Sequence, residues 1–378
     1  MRVLIVHNFY RSSAPSGEND AVLSHLEELK NEGHIVETYF VKSDWLVPLK
    51  QAGGALAGIT YITGIMSFFP LLWKIIRFKP EIVHIHNLFP LISPWVLLWL
   101  PRLVNTFYTF HNYRNFCAGG IPIRNGRHCD LCLTGSQSNA LKYRCYRKSI
   151  IATFPIYLMN VIIERLGLLN NCKKVVVLNN FKKKFLIARG ILEEKIIIKG
   201  NYINEITVSK NNSKEYIFVG RLTEEKGIEN LLYFWNISET KNILHIYGSG
   251  ELEKSLKSAY QSDTIIFHGL SQFKKILLHM KTVKAILVPS LCIEGYPMVI
   301  AQAQSIGIPI VVTDIGPLPE ISGNNKLVIS YDDFLNRDEK LIPFFKNLSE
   351  EIDSVITFTT KKSNKRMLDY DEIYKDIY

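Results

Sequence analysis

The segment Ala285–Thr313 reads AILVPSLCIEGYPMVIAQAQSIGIPIVVT. Ala285–Val288 is a short apolar run, the pattern of a strand covered on both faces. Gly295 and Pro297 then punctuate a turn. From Met298 the chain is helical in character until Gly307 and Pro309 stop it, and Ile310–Thr313 is a second apolar run. Strand, turn, helix and strand form one βαβ unit, and such units build parallel sheets covered by helices. Glu294 sits on the turn, where a carboxylate can accept hydrogen bonds from sugar hydroxyls. The backbone amides of Met298 and Val299 lie at the helix N-terminus, which favours an anion such as phosphate.

The same alternation runs outward in both directions. Tyr216–Val219, Leu244–Tyr247 and Ile265–Phe267 read as further strands of the second half. Val3–Val6, Ile35–Phe40, Ile82–Ile85, Asn105–Phe110 and Lys174–Leu178 read as strands of the first. Asp20–Asn31 has apolar residues at Val22, Leu23, Leu26 and Leu29, a helical period closed by Gly33. The expected architecture is α/β with two doubly wound, Rossmann-like domains. Residues 1–200 form the first and 201–366 the second, with the seam near Lys199–Glu215. Residues 367–378 form a C-terminal helix able to cross back to the first domain. Ligands of such sheets bind at the carboxyl ends of the strands.

The chain has 378 residues, 47% of them hydrophobic, which excludes wholesale disorder. Its net charge of +10 is uneven: residues 101–200 carry seventeen Lys/Arg against four Asp/Glu, whereas residues 1–100 are neutral and 201–378 slightly acidic. A basic middle meets something anionic: nucleotide, nucleic acid or lipid headgroups. The N-terminal run Val3–Val6 is too short for a secretory signal, so a cytoplasmic protein with reduced thiols is expected. Ala52–Trp73 has no charged residue over 22 positions but contains four Gly and Pro70. It reads as a helix on a bilayer surface, with Lys74, Arg77 and Lys79 at the headgroups, or as a buried domain helix, rather than as a span. Phe89–Leu100 and Ile150–Leu169 share its apolar, aromatic character.

A second motif, Gly220-Arg221-Leu222-Thr223-Glu224-Glu225-Lys226-Gly227, follows a strand directly. Gly220 lets a ligand approach the backbone, and Arg221 and Lys226 place two cations at the mouth of a βα turn, a fit for a diphosphate. With Pro289–Pro309 in this order and spacing, the chain resembles the retaining glycosyltransferases of family 4, which have the GT-B fold of two Rossmann-like domains facing across a cleft. Pro15-Ser16-Gly17-Glu18, Pro80–Asn87, Thr109–Asn112, Tyr247–Gly250 and Phe267–Gly269 carry the resemblance over nearly the whole length. It implies a hexosyltransferase-type enzyme with a nucleotide-sugar donor in the second domain. Arg221 and Lys226 would hold the diphosphate, each contact worth roughly 1.5–3 kcal/mol. Glu294 would contact the transferred sugar, and His111 would stand near the reacting centre, through its side chain or its carbonyl. Gly17, Gly220, Gly248, Gly295, Tyr296, Pro297, Met298, Val299 and Gln302 would line the donor. The family has a glutamate at the position of Gln302, and the exchange costs about 1 kcal/mol of donor affinity. No catalytic metal or other cofactor is implied.

Cys117, Cys129, Cys132 and Cys145 lie in a basic Cys-rich insertion, residues 115–148, resembling one in a subset of that family. Their C-x11-C-x2-C-x12-C spacing suits a structural zinc, or reduced thiols packed in a long loop. The expected partners are a nucleotide sugar, a lipid-linked or saccharide acceptor and a membrane surface, and not nucleic acid. The process is surface polysaccharide or O-antigen assembly by an enzyme peripheral at the inner face of the cell membrane. The alternatives are a zinc-containing nucleic-acid-binding protein and an inactive GT-B homologue.

Overall fold

The computed structural model describes residues 1–10, 17–200, 213–355 and 370–374. Two compact units divide them. The first comprises residues 1–122, 130–200 and 370–374, and the second residues 123–129 and 213–355.

The first unit holds a six-stranded sheet of β1 (Arg2–Phe9), β2 (Ile35–Lys42), β3 (Ile82–Ile85) and β4 (Asn105–Phe110), completed by two later strands. Between β4 and the later strands, a two-stranded ribbon, β5 (Ile123–Arg124) and β6 (Arg127–His128), belongs to the second unit. There the amide of His128 donates to Tyr331 Oη at 3.0 Å. β7 (Lys174–Val177) and β8 (Ile196–Ile198) finish the first sheet, in the order β2-β1-β3-β4-β7-β8 with every pair parallel. Val3, Ile5, Val22, Leu29, Ile82, Phe107 and Val176 form a core beneath it. The short helix Tyr370–Tyr374 closes that core, with Tyr374 fully buried and its ring 4.9 Å from that of Phe107.

The second sheet is built of β9 (Glu215–Val219), β10 (Ile243–Tyr247), β11 (Ile265–Gly269), β12 (Ala285–Val288), β13 (Ile310–Thr313) and β14 (Lys326–Ile329). Its order is β11-β10-β9-β12-β13-β14, again all parallel. Strand order therefore reverses between β9 and β12. In a doubly wound sheet, the crevice outside the carboxyl ends of two such strands is where a ligand fits. Gly220 follows β9 and Pro289 follows β12.

The uncharged stretch Ala52–Trp73 forms no single rod. It lies in two helices, Lys50–Thr63 and Ile65–Phe78, bent by 57°. Gly64, at φ +73°, makes the break, a backbone conformation that favours glycine. Among the described residues no single helix is long and apolar enough to cross a membrane. The expected seam falls mostly on residues 201–212, and residues 367–369 and 375–378 of the tail likewise lie outside the described residues.

Candidate active site

The switch point of the second unit is assembled from the loops that follow β9, β10 and β12. β9 runs into Gly220 and Arg221, and a short turn, Glu224–Lys226, leads to the helix Ile228–Ile237. Gly227 links them at φ +66°, and a Cβ there would stand 1.9 Å from the carbonyl oxygen of Pro289. Glycine is thus what lets the β9 loop lie against the β12 loop. The next loop repeats the device. Gly248 has φ +133°, and a Cβ would stand 1.9 Å from the carbonyl oxygen of Gly220. The amide of Leu222 donates to Ser249 O at 3.0 Å, stitching these loops together.

Within this frame Lys226 and Glu294, 68 residues apart, are brought into one pair with Nζ 2.5 Å from Oε1. Ser290 Oγ donates to the same carboxylate oxygen at 2.6 Å. Burial alone would discharge both groups. For Lys226 the Glu294 carboxylate outweighs burial and holds the ammonium above the ordinary lysine range. For Glu294 burial is likewise outweighed, by Lys226, the Ser290 hydroxyl and Arg221, which keep it below the usual carboxylate range. Both are therefore charged at neutral pH. Arg221 is more exposed and donates to Glu225 Oε1 at 2.8 Å. Gly295, Tyr296 and Pro297 carry the chain from Glu294 into the helix Met298–Ile306, which has no side-chain cap at its N-terminus. The first-turn amides of a helix have no partner within it, so those of Met298 and Val299 are suited to an anion. Tyr296 is buried, with Oη donating to Gln304 at 3.1 Å, and Gln302 is buried on the same helix.

The residues expected in the first unit lie among groups that the sequence did not connect. Gly17 opens the helix Gly17–Asn31, whereas Pro15 and Ser16 are outside the described residues. His111 follows β4 and takes part in a chain of imidazoles. His25 Nδ1 is 2.8 Å from His86 Nε2, and His86 Nδ1 is 2.7 Å from His111 Nε2. Beside them His84 reaches Tyr374 Oη and Thr109 Oγ1, both at 2.6 Å. The His111 carbonyl accepts from the buried ammonium of Lys182, which also donates to Phe110 O at 3.0 Å. His86 and His111 line a cavity of about 10 Å³, the room of a single water. The sequence signal for His84 and His86 was the HIHN string after β3. Nothing local marked His25 or Tyr374, which join only through tertiary packing.

Burial sets the charge of this cluster. It pushes His7 down to about 4 and His84 to about 3, and it lowers His25, His86 and His111. A base with a lowered folded-state pKa stabilises the fold fully above its unfolded value near 6.5 and loses that contribution as pH falls toward the folded value. His7 alone is worth on the order of 3 kcal/mol. Glu18 works the other way. Burial, opposed by an Asn112 hydrogen bond of 2.7 Å, raises its carboxyl to about 7, so stability is lost as pH rises from about 4.5 through 7. Unfolding followed by circular dichroism should show a steep loss of Tm below pH 6.5. That loss should steepen in Glu18→Gln and soften in His7→Gln; a Tm flat down to pH 4 contradicts the burial assigned to the histidines.

Two trios among the described residues bring donor atoms within 4.8 Å of one another, His25/His84/His86 and His245/His268/His279. Cys117, Cys132 and Cys145 belong to the first unit, and Cys129 to the stretch 123–129 of the second.

Residues 202–350 match the sequence model of the family described as Glycosyl transferases group 1. The chain is 30% identical over 177 residues to the O-antigen biosynthesis glycosyltransferase WbnH of Escherichia coli, a match covering 45% of this chain and 50% of that protein. It is 29% identical over 214 residues to an E. coli UDP-Gal:alpha-D-GlcNAc-diphosphoundecaprenol alpha-1,3-galactosyltransferase, covering 51% of each. The chain thus spans about half the length of the curated relatives it matches. Among solved structures, Anabaena Alr3699/HepE in complex with UDP superposes with a TM-score of 0.55 at 13% identity, over 94% of this chain and 95% of that one. That likeness shows the fold: the two parallel-sheet units are those of the GT-B class.

Proposed function

We propose that this GT-B chain is a glycosyltransferase of surface polysaccharide assembly, with the retaining chemistry of family 4. It moves a hexosyl group from a nucleotide sugar to a saccharide carried on a polyprenyl diphosphate. The observation that carries this reading is the charged Lys226–Glu294 pair at the switch point of the second sheet, inside the region that matches the transferase family. Arg221, Lys226 and the N-terminus of helix Met298–Ile306 take the charge of the departing diphosphate. Glu294, held ionised and oriented by Lys226 and Ser290, accepts from hydroxyls of the sugar.

In this mechanism the acceptor hydroxyl approaches the anomeric carbon from the face that the diphosphate leaves. The bond from anomeric carbon to phosphate oxygen breaks with its electron pair passing to that oxygen. The new carbon–oxygen bond forms on the same face, and the hydroxyl proton passes to the departing phosphate. No protein nucleophile is needed. Incubation of the chain with nucleotide sugars and a polyprenyl-diphosphate saccharide tests this. Mass spectrometry should find one added hexose, and proton NMR the donor's anomeric configuration. An inverted product would overturn the retaining chemistry, and no product with any donor would overturn the transferase reading.

The acceptor's lipid places the enzyme at a membrane, and helix Ile65–Phe78 supplies the surface. Ile65, Phe69, Trp73 and Ile76 are each more than half exposed and recur at helical spacing along one stripe, with Arg77 over the Trp73 ring. Ile151 and Phe154 of the helix Ile150–Arg165 are exposed as well. Co-sedimentation with anionic vesicles should fall at least tenfold in Phe69→Ser/Trp73→Ser with Tm unchanged; undiminished binding contradicts this surface.

A further inference from the structure

A second cluster of chemistry stands on the second unit, the unit that also holds Lys226 and Glu294. Residues in register on parallel strands share a face. Glu215 pairs with Ile243, so Glu215 of β9 and His245 and Tyr247 of β10 face the same side of the second sheet. The helix Phe273–Met280 brings His279 to them, and His268 comes from β11. Glu215 Oε2 lies 3.5 Å from His245 Nε2 and 3.5 Å from His279 Nε2. His245 is 8% exposed, and its Nε2 is buried with no hydrogen-bond partner.

The other nitrogen of each ring is already held. His245 Nδ1 is 2.9 Å from His268 Nε2, and His279 Nδ1 is 2.8 Å from Tyr247 Oη. With these bonds donated outward by Nδ1–H, both Nε2 lone pairs are left for the side where Glu215 stands. Metal-bound histidines have this pattern, one nitrogen on the ion and the other on an outer partner that fixes the tautomer. The separation of 3.5 Å is too long for a good hydrogen bond. It matches the distance between neighbouring ligands of a tetrahedral ion with bonds of about 2.1 Å, which is roughly 3.4 Å.

We propose that Glu215, His245 and His279 bind a divalent transition-metal cation of the zinc type, with His268 and Tyr247 as the outer partners of the two imidazoles. Two imidazoles and one carboxylate suit zinc, cobalt or nickel better than magnesium or calcium. The ion ties the first residue of β9 to β10 and to the helix Phe273–Met280. Its role is to fasten the start of the second sheet, and no step of sugar transfer depends on it.

The test uses the full chain, freed of any affinity tag and stripped with chelator, titrated with Co2+ and followed by visible absorption and calorimetry. The expected result is one ion per chain with weak visible d–d bands and no sulfur-to-cobalt charge-transfer band, displaced by Zn2+. Glu215→Gln and His279→Gln should each weaken binding at least tenfold while leaving the metal-free Tm in place. Absorption dominated by sulfur-to-cobalt charge transfer would assign the ion to the cysteines instead. That result, binding unchanged in both variants, or no stoichiometric binding overturns the proposal.

Discussion

Lys226→Ala should lower kcat for sugar transfer by roughly 100- to 1,000-fold, the range found when a single donor to a developing oxyanion is removed. The argument rests on what the lysine touches. Its Nζ is 2.5 Å from Glu294 Oε1, and both side chains are largely buried. Removing the ammonium takes a cation from the diphosphate. It also leaves Glu294 buried with Ser290 and the more distant Arg221, so its carboxyl rises and its orientation loosens. Breaking a buried pair on one side is costly, and a loss of up to about 3 kcal/mol of stability is expected alongside. Lys226→Arg keeps the charge and should recover part of kcat. Steady-state kinetics with saturating acceptor reads both variants. A kcat within threefold of the parent chain would remove Lys226 from the chemistry.

Gly248→Ala should abolish donor binding through backbone geometry alone. At φ +133° an added Cβ would meet the Gly220 carbonyl oxygen at 1.9 Å, and backbone cannot swing aside as a side-chain end can. The Gly220-Arg221 and Gly248–Gly250 loops must then separate. The two loops are likewise close at Gly250, where a Cβ would stand 2.3 Å from Leu222 O. Strain of this kind costs about 2–3 kcal/mol. Denaturant unfolding should record that loss, and calorimetry should find nucleotide-sugar affinity reduced at least 100-fold. Gly33→Ala is the control, because its added Cβ meets nothing within 4 Å although its φ is also positive. It should lose some stability and keep the donor. Normal donor affinity in Gly248→Ala would mean that the loops do not shape the site as described.

How far the sequence could be read depended on where the physics is local. β1, β3, β9, β10, β12 and β13 were visible because central strands of a parallel sheet are buried on both faces and appear as short apolar runs. β8 and β14 were not anticipated. They are edge strands of three and four residues with mixed exposure, so no buried run marks them. Ala52–Trp73 was read as one element, yet the left-handed Gly64 within it splits it in two. Glu294, Lys226 and Arg221 were each identified on their own turns. Their pairing was not, because a contact across 68 residues depends on strand order, and the reversal between β9 and β12 is a property of topology. The histidine chain shows the same limit. His86 and His111 lay in strings that stood out, whereas His25 comes from the helix Gly17–Asn31 and Tyr374 from the far end of the chain. The carbonyl of His111, read as a group near the reacting centre, turned out to hold Lys182, a buried cation that no motif announced.

The central claim is that the second unit holds a nucleotide sugar at Arg221, Lys226 and Glu294. Thermal unfolding of the full chain against UDP-, GDP-, TDP- and CDP-sugars tests it most directly, with short nucleic acids as controls and Lys226→Ala in parallel. A ligand at about 100 times its dissociation constant adds about 2.7 kcal/mol. The account predicts stabilisation of that size by one nucleoside-diphosphate series, lost in Lys226→Ala. No response to any nucleotide sugar, with stabilisation by nucleic acid, would contradict it.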